Sequence, residues 1–151
     1  MHYRELKQAW AELTGAGAPF EVVEIPVRGN MIRTFKNAPP SVRELWLSTA
    51  QFSERDYLVY QDERLTYAQA HAQVNAVAAW LFEHGVQPGD RVAIAMRNYP
   101  EWMLVYWACL SVGVAAVGMN AWWVPDEMEY AFKDAAPKVV FADAERLARI
   151  Q

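Results

Sequence analysis

Chemistry in this chain would have to come from a few scattered groups. Arg97 and Asn98 stand in the turn Met96-Arg97-Asn98-Tyr99-Pro100, where a cation and an amide at a strand end could touch a ligand. The same two residues serve equally as a surface arginine and a helix cap. Asp126, Glu127 and Glu129 crowd a helix start. Clustered carboxylates can act as general acid and base, but matching the helix dipole accounts for these three without that work. His2, His71 and His84 lack the paired spacing of metal ligands, and His71 reads as an exposed helical histidine. Cys109 is the single cysteine and lies in an apolar run, so it reads as a core thiol rather than a nucleophile. A lone cysteine also rules out an intramolecular disulfide or a multi-cysteine zinc site. The Trp122-Trp123 pair falls between a strand and a helix, as a core or subdomain contact or as a binding platform.

The groups that grip phosphate are absent from the sequence. A dinucleotide site needs glycines in the first strand-to-helix turn, because side chains hold the pyrophosphate away, and residues 96–100 contain none. Pro100 removes a further backbone donor there. There is no GxxxxGK run followed by Ser or Thr, and no GxSxG elbow to present a serine nucleophile. No catalytic residue, no cofactor-binding residue and no metal ligand is assigned.

The elements that carry these groups follow from periodicity. RELKQAWAEL at 4–13 is a helix with Leu6, Trp10 and Leu13 on one face. FEVVEIPV at 20–27 is extended, and GNMIRTFKNAPP at 29–40 is irregular, an arm lying over something else. Ser41 caps a helix to about Phe52, with Glu44 completing a capping box and Leu45 and Trp46 as its apolar side. YLVYQ and Arg64-Leu65-Thr66 form a hairpin around Asp62-Glu63. Thr66 caps a long amphipathic helix with Gln69 in the box position, and its apolar face is Tyr67, Ala70, Val74, Val77, Ala78, Leu81 and Phe82. Gly85 stops it. Strand VAIAM, a helix over about 99–112 capped by Asn98 and apolar nearly all round, strand VAAVGM, a helix from Pro125 and strand KVVFAD then alternate. Two strand-helix-strand crossovers imply a parallel sheet. The expected fold class is α/β: a parallel-sheet layered α/β/α subdomain with an N-terminal helix, an extended arm and a small hairpin. The domain reading is an N-terminal helix and arm over 1–56 and an incomplete larger domain over 57–151.

Bulk properties restrict partners. The 151 residues carry a net charge of −4, which makes no global case for nucleic acid. Arg28, Arg33, Lys36 and Arg43, with Phe35 among them, form too scattered a footprint and read as a solvated face. From Trp102 to Pro125 no side chain is charged, yet Gly113 and Gly118 interrupt the run and VAAV suits a buried parallel strand, so no transmembrane span is expected. His2, Arg4, Glu5 and Lys7 replace the apolar core of a secretory leader, and cytoplasmic residence is the default.

With these residues in place, the chain resembles the N-terminal part of the adenylate-forming (AMP-binding) superfamily, and acyl-CoA synthetases within it. Leu65-Thr66-Tyr67 resembles the first core motif, LTYxEL, with Gln69-Ala70 in place of Glu-Leu. GVQPGDRVAIAMRNYPEW is similar to the stretch that follows, a Pro-Gly-Asp turn leading into a buried strand and an Asn-x-Pro-Glu helix start. LSVGVAAVGMN resembles the second core motif, LKAGxxxVPLN, without its lysine and proline. The matches cover about residues 57–143.

The resemblance implies a parent ligase that joins ATP and a carboxylic acid into an acyl-adenylate and passes the acyl group to coenzyme A, with Mg. The family's phosphate loop, ribose aspartate and catalytic lysine belong to later sequence, so the motifs matched here are scaffold and the isolated fragment is expected to be inactive, binding no cofactor. The implied partners are the remainder of the parent ligase, or a second copy through exposed apolar surface. The alternative is a non-catalytic interaction module on a ligase-derived scaffold.

Overall fold

The computed structural model describes residues 3–150, so His2 lies outside the described residues. A first compact unit ends at Pro40 and a second begins at Ser41.

In the first unit, helix α1 (Tyr3–Thr14) displays the predicted stripe, but Leu6, Trp10 and Leu13 all stay exposed. Strand β1 (Val22–Val27) is present as expected. Residues 30–35 are not irregular: they form β2 (Asn30–Phe35), antiparallel to β1 with Val27 opposite Asn30. The two-residue turn Arg28-Gly29 closes this hairpin with φ of 48° and 85°. Both central residues at positive φ match the right-handed twist of the strands. Arg-Gly is a weaker turn signal than Asn-Gly, which hid the hairpin in the sequence.

The second unit opens with α2 (Val42–Ser48), which gives way to a 3-10 turn over Thr49–Phe52 instead of continuing as one helix. Ser41 Oγ accepts the Glu44 amide at 3.1 Å, but the Glu44 carboxylate turns to Arg43 at 3.2 Å, leaving the capping box half made. Trp46 is buried while Leu45 faces out. Strands β3 (Asp56–Tyr60) and β4 (Glu63–Thr66) pair antiparallel, with Gln61 and Asp62 as the turn. Helix α3 (Tyr67–Glu83) has the full Thr66–Gln69 capping box. Its buried face is Ala70, Val74 and Leu81, whereas Phe82 is exposed.

Next come β5 (Arg91–Ala95), α4 (Pro100–Ser111), β6 (Ala115–Gly118), α5 (Pro125–Ala135), β7 (Val139–Ala142) and α6 (Ala144–Ile150). The cap of α4 is Tyr99, not Asn98. Proline fits the first helical turn, where its missing N–H costs nothing, so Pro100 fixes the start and moves the cap to its neighbour. Leu104, Val105, Ala108 and Cys109 of this helix are buried, and apart from the exposed Glu101 its other residues are half-buried, as an all-round apolar helix should be. Burial pushes the Cys109 thiol up to about 11, as expected of a core thiol. The run from 102 to 119 breaks at Gly113, whose φ is 73° and whose missing Cβ would sit 3.4 Å from Pro88. Among the described residues no helix is long and apolar enough to cross a membrane.

The sheet is parallel with order β6-β5-β7. β5 lies in the middle, and Val92 to Ala95 are wholly buried. Val92 and Ile94 join Leu81, Val105 and Cys109 on one face, whereas Ala93 and Ala95 join Met119 and Met128 on the other. The alternation of a strand therefore feeds two helix layers. A third cluster sets Trp46 against Ala70, Val74, Leu104 and Ala108, tying α2 to α3 and α4.

His71 is half-buried against this third cluster and not an exposed helical histidine. Its ring stacks 4.1 Å from that of Trp46, and Nε2 lies 3.0 Å from Thr49 Oγ1. Burial lowers its pKa from the usual 6.5. The unfolded chain then binds a proton more readily than the folded one, so stability is flat above pH 6.5 and falls as pH drops below it. Urea midpoints between pH 8 and 5.5 should show this slope, and His71→Phe should flatten it; equal slopes for the two proteins would refute the assignment.

Candidate functional site

β5 runs to α4 and β6 on one side, and the chain then crosses back through α5 to β7 on the other. The carboxyl end of β5 is thus the point where the winding reverses, the usual place for a ligand in an open parallel sheet. An open cleft of about 460 Å³ lies there, lined by Met96, Asn98, Trp102, Met119, Asn120 and Trp122 among others.

The turns after β5 and β6 line it, and the turn after β7 is bonded to both. After β5, Arg97 extends over the Trp122 ring at 4.3 Å, and Asn98 lines the cleft. After β6, Asn120 organises the segment before α5, accepting the Trp122 amide on Oδ1 at 3.0 Å and the Trp123 amide on its carbonyl at 3.2 Å. The tryptophan pair is divided: Trp122 is 69% exposed, while Trp123 packs against the Met119–Met128 cluster. After β7, Asp143 Oδ1 accepts the Arg146 amide at 2.9 Å and Oδ2 accepts the Arg97 amide at 3.0 Å. Partial burial alone would raise the Asp143 pKa, but those two amides and the Arg146 guanidinium overcome it and hold the carboxyl below its ordinary value.

Arg146 and Asp143 were not singled out from the sequence. Arg146 is 1% exposed although its neighbour Leu147 is open to solvent. Its Nε donates to the Ala121 carbonyl at 2.8 Å, and Nη1 to Asp143 at 3.2 Å and Glu145 at 2.9 Å. Among the described residues, Arg146 Nη2 and Ser111 Oγ are the buried side-chain donors without a hydrogen-bond partner. The only signal available was an aspartate three residues ahead of an arginine at a helix start, and that spacing marks countless exposed pairs.

Glu127, Glu129 and His84 bond within or next to their own helices. Glu127 accepts the Val124 amide at 3.0 Å, and Glu129 pairs with Lys133 at 2.5 Å, where the lysine's hydrogen bond lowers the Glu129 pKa. His84 Nδ1 lies 2.8 Å from the Trp80 carbonyl, one turn back on its own helix. Among the described residues no three His, Cys, Asp or Glu side chains converge as a metal site.

The residues at this edge do not fit a triphosphate. Phosphate binding at a helix start needs free amides and an unopposed positive end. Pro100 has no N–H, the Tyr99 amide is spent on Arg97 O at 2.7 Å and the Trp102 amide on Tyr99 O at 3.1 Å. Asp126 and Glu127 occupy the start of α5, and Asp143 takes the amide at the start of α6.

Comparison with known proteins gives a consistent picture. The family described as AMP-binding enzyme matches residues 45–151. A 3-hydroxybenzoate–CoA ligase of Aromatoleum sp. (strain CIB) is 33% identical over 81 residues, 54% of this chain and 16% of that protein. A long-chain-fatty-acid–CoA ligase of Bacillus subtilis (strain 168) is 30% identical over 93 residues, 62% of this chain and 17% of that one. The chain thus spans about a sixth of the length of these two relatives. Among solved structures, the anthranilate CoA ligase AuaEII in complex with anthranoyl-AMP superposes with a TM-score of 0.72 at 24% identity, over 76% of this chain and 23% of that one. This last likeness is one of fold.

Proposed function

Because this chain belongs to the AMP-binding enzyme family, we propose that it is the N-terminal portion of a cytoplasmic ATP-dependent acid–CoA ligase that forms an acyl-adenylate and then an acyl thioester. The observation that carries the reading is the family match over the second compact unit, joined to relatives that are themselves acid–CoA ligases. In this reading residues 57–151 are the first part of the large N-terminal domain, and residues 1–56 are an arm and helix whose Trp46 reaches into that domain's core.

The substrate of the parent would be a carboxylic acid, with ATP, Mg and coenzyme A as its other reactants. No residue of this chain is placed in either half-reaction. The occupied helix starts and the glycine-free turn at 96–100 support the view that the chain supplies scaffold while other sequence supplies the grip on triphosphate. The remainder of the ligase is then the natural partner for exposed side chains such as Trp122.

The test is ATP–pyrophosphate exchange driven by benzoate, hydroxybenzoate or fatty acids. This 151-residue chain should exchange at background, and the same chain continued into a complete ligase should exchange well above it. Carboxylate-dependent exchange by the short chain would defeat the scaffold reading, and an inactive complete protein would defeat the ligase reading.

A further inference from the structure

We propose that Arg146 is a positioning residue: with Asp143 it locks the three turns at the carboxyl edge of the sheet together and so sets the shape of the cleft that the first two of them line. Its significance for ligation rests on the ligase reading above; its action on the turns does not.

Burying a guanidinium is costly, and an apolar side chain of similar size often replaces a buried ion pair without loss of stability. The residue must then be judged by what an apolar side chain could not do. Arg146 Nε holds the Ala121 carbonyl at 2.8 Å, in the segment between β6 and α5, which has no ladder of its own. Nη1 holds Asp143, in the turn after β7, at 3.2 Å. The same Asp143 carboxylate receives the Arg97 amide, from the turn after β5, at 3.0 Å. One ion pair therefore touches all three strand-to-helix turns.

Arg149 adds a second tie to the middle turn through the Trp123 carbonyl at 2.9 Å. The fixed segment carries Trp122, which lies under Arg97 at the cleft mouth. A planar fork is needed to reach a carbonyl on one edge and a carboxylate on the other; an ammonium reaches one or the other.

The test uses the whole chain with Arg146→Met and amide hydrogen exchange read by mass spectrometry. Exchange at Trp122 and Trp123 should quicken by about tenfold or more while the β5 amides of Val92 to Ala95 keep their protection. Unchanged protection at 122–123 overturns the proposal. If the methionine variant loosens β5 equally, Arg146→Lys decides: loosening confined to 121–124 supports the positioning role, and general loosening or none refutes it. The readout involves no ATP chemistry, so its failure and that of the ligase reading are seen in separate assays.

Discussion

Replacing Trp46 with alanine is expected to remove about 3–5 kcal/mol of stability from the second unit. The indole is 1% exposed and meets three rings at once: His71 at 4.1 Å, Trp107 at 4.9 Å and Tyr57 at 5.4 Å. It is the only side chain of α2 that is fully buried, so little else can close around the gap. Single domains are held by about 5–15 kcal/mol in total, so the loss would consume a large share. Urea unfolding followed by far-UV circular dichroism measures it, with Leu45→Ala on the exposed face as the control. Equal midpoints for the two variants would mean that α2 is not docked as described.

Placing a carboxylate at the centre of the sheet should be as damaging. Ile94 has no exposed surface and lies between β6 and β7 on the strand that feeds both helix layers. Ile94→Asp would bury a charge with no counter-ion provided for it, at a penalty of several kcal/mol. The variant should be insoluble or lack near-UV circular dichroism at neutral pH, whereas Ile94→Val should cost only about 0.5–1.5 kcal/mol. A soluble, cooperatively melting aspartate variant would show that the middle of the sheet is wetter than its burial implies.

Much of this fold was legible because local and long-range preferences agree. The Thr66–Gln69 box, the stop at Gly85 and the alternation of VAIAM with the apolar 102–111 segment all act through neighbours in sequence. The parallel sheet followed from handedness and connection length. What sequence hid depends on partners far along the chain. His71 is drawn in against the core only because α2 and the 3-10 turn after it bring Trp46 and Thr49 to it. The β1–β2 hairpin rests on positive φ at Arg28, a conformation its side chain does not advertise. At the cleft, Arg97 and Asn98 were visible as strand-end residues, but Arg146 could not be separated from an exposed arginine until the Ala121 carbonyl was seen beside it.

The indoles of Trp46 and Trp107 lie face to face, 14° from parallel. Rings so close share their excited states, and the His71 imidazole stacked on Trp46 can quench their emission once it takes up a proton. The polypeptide therefore carries a built-in optical gauge of whether its first helix after Pro40 is seated, readable without any label.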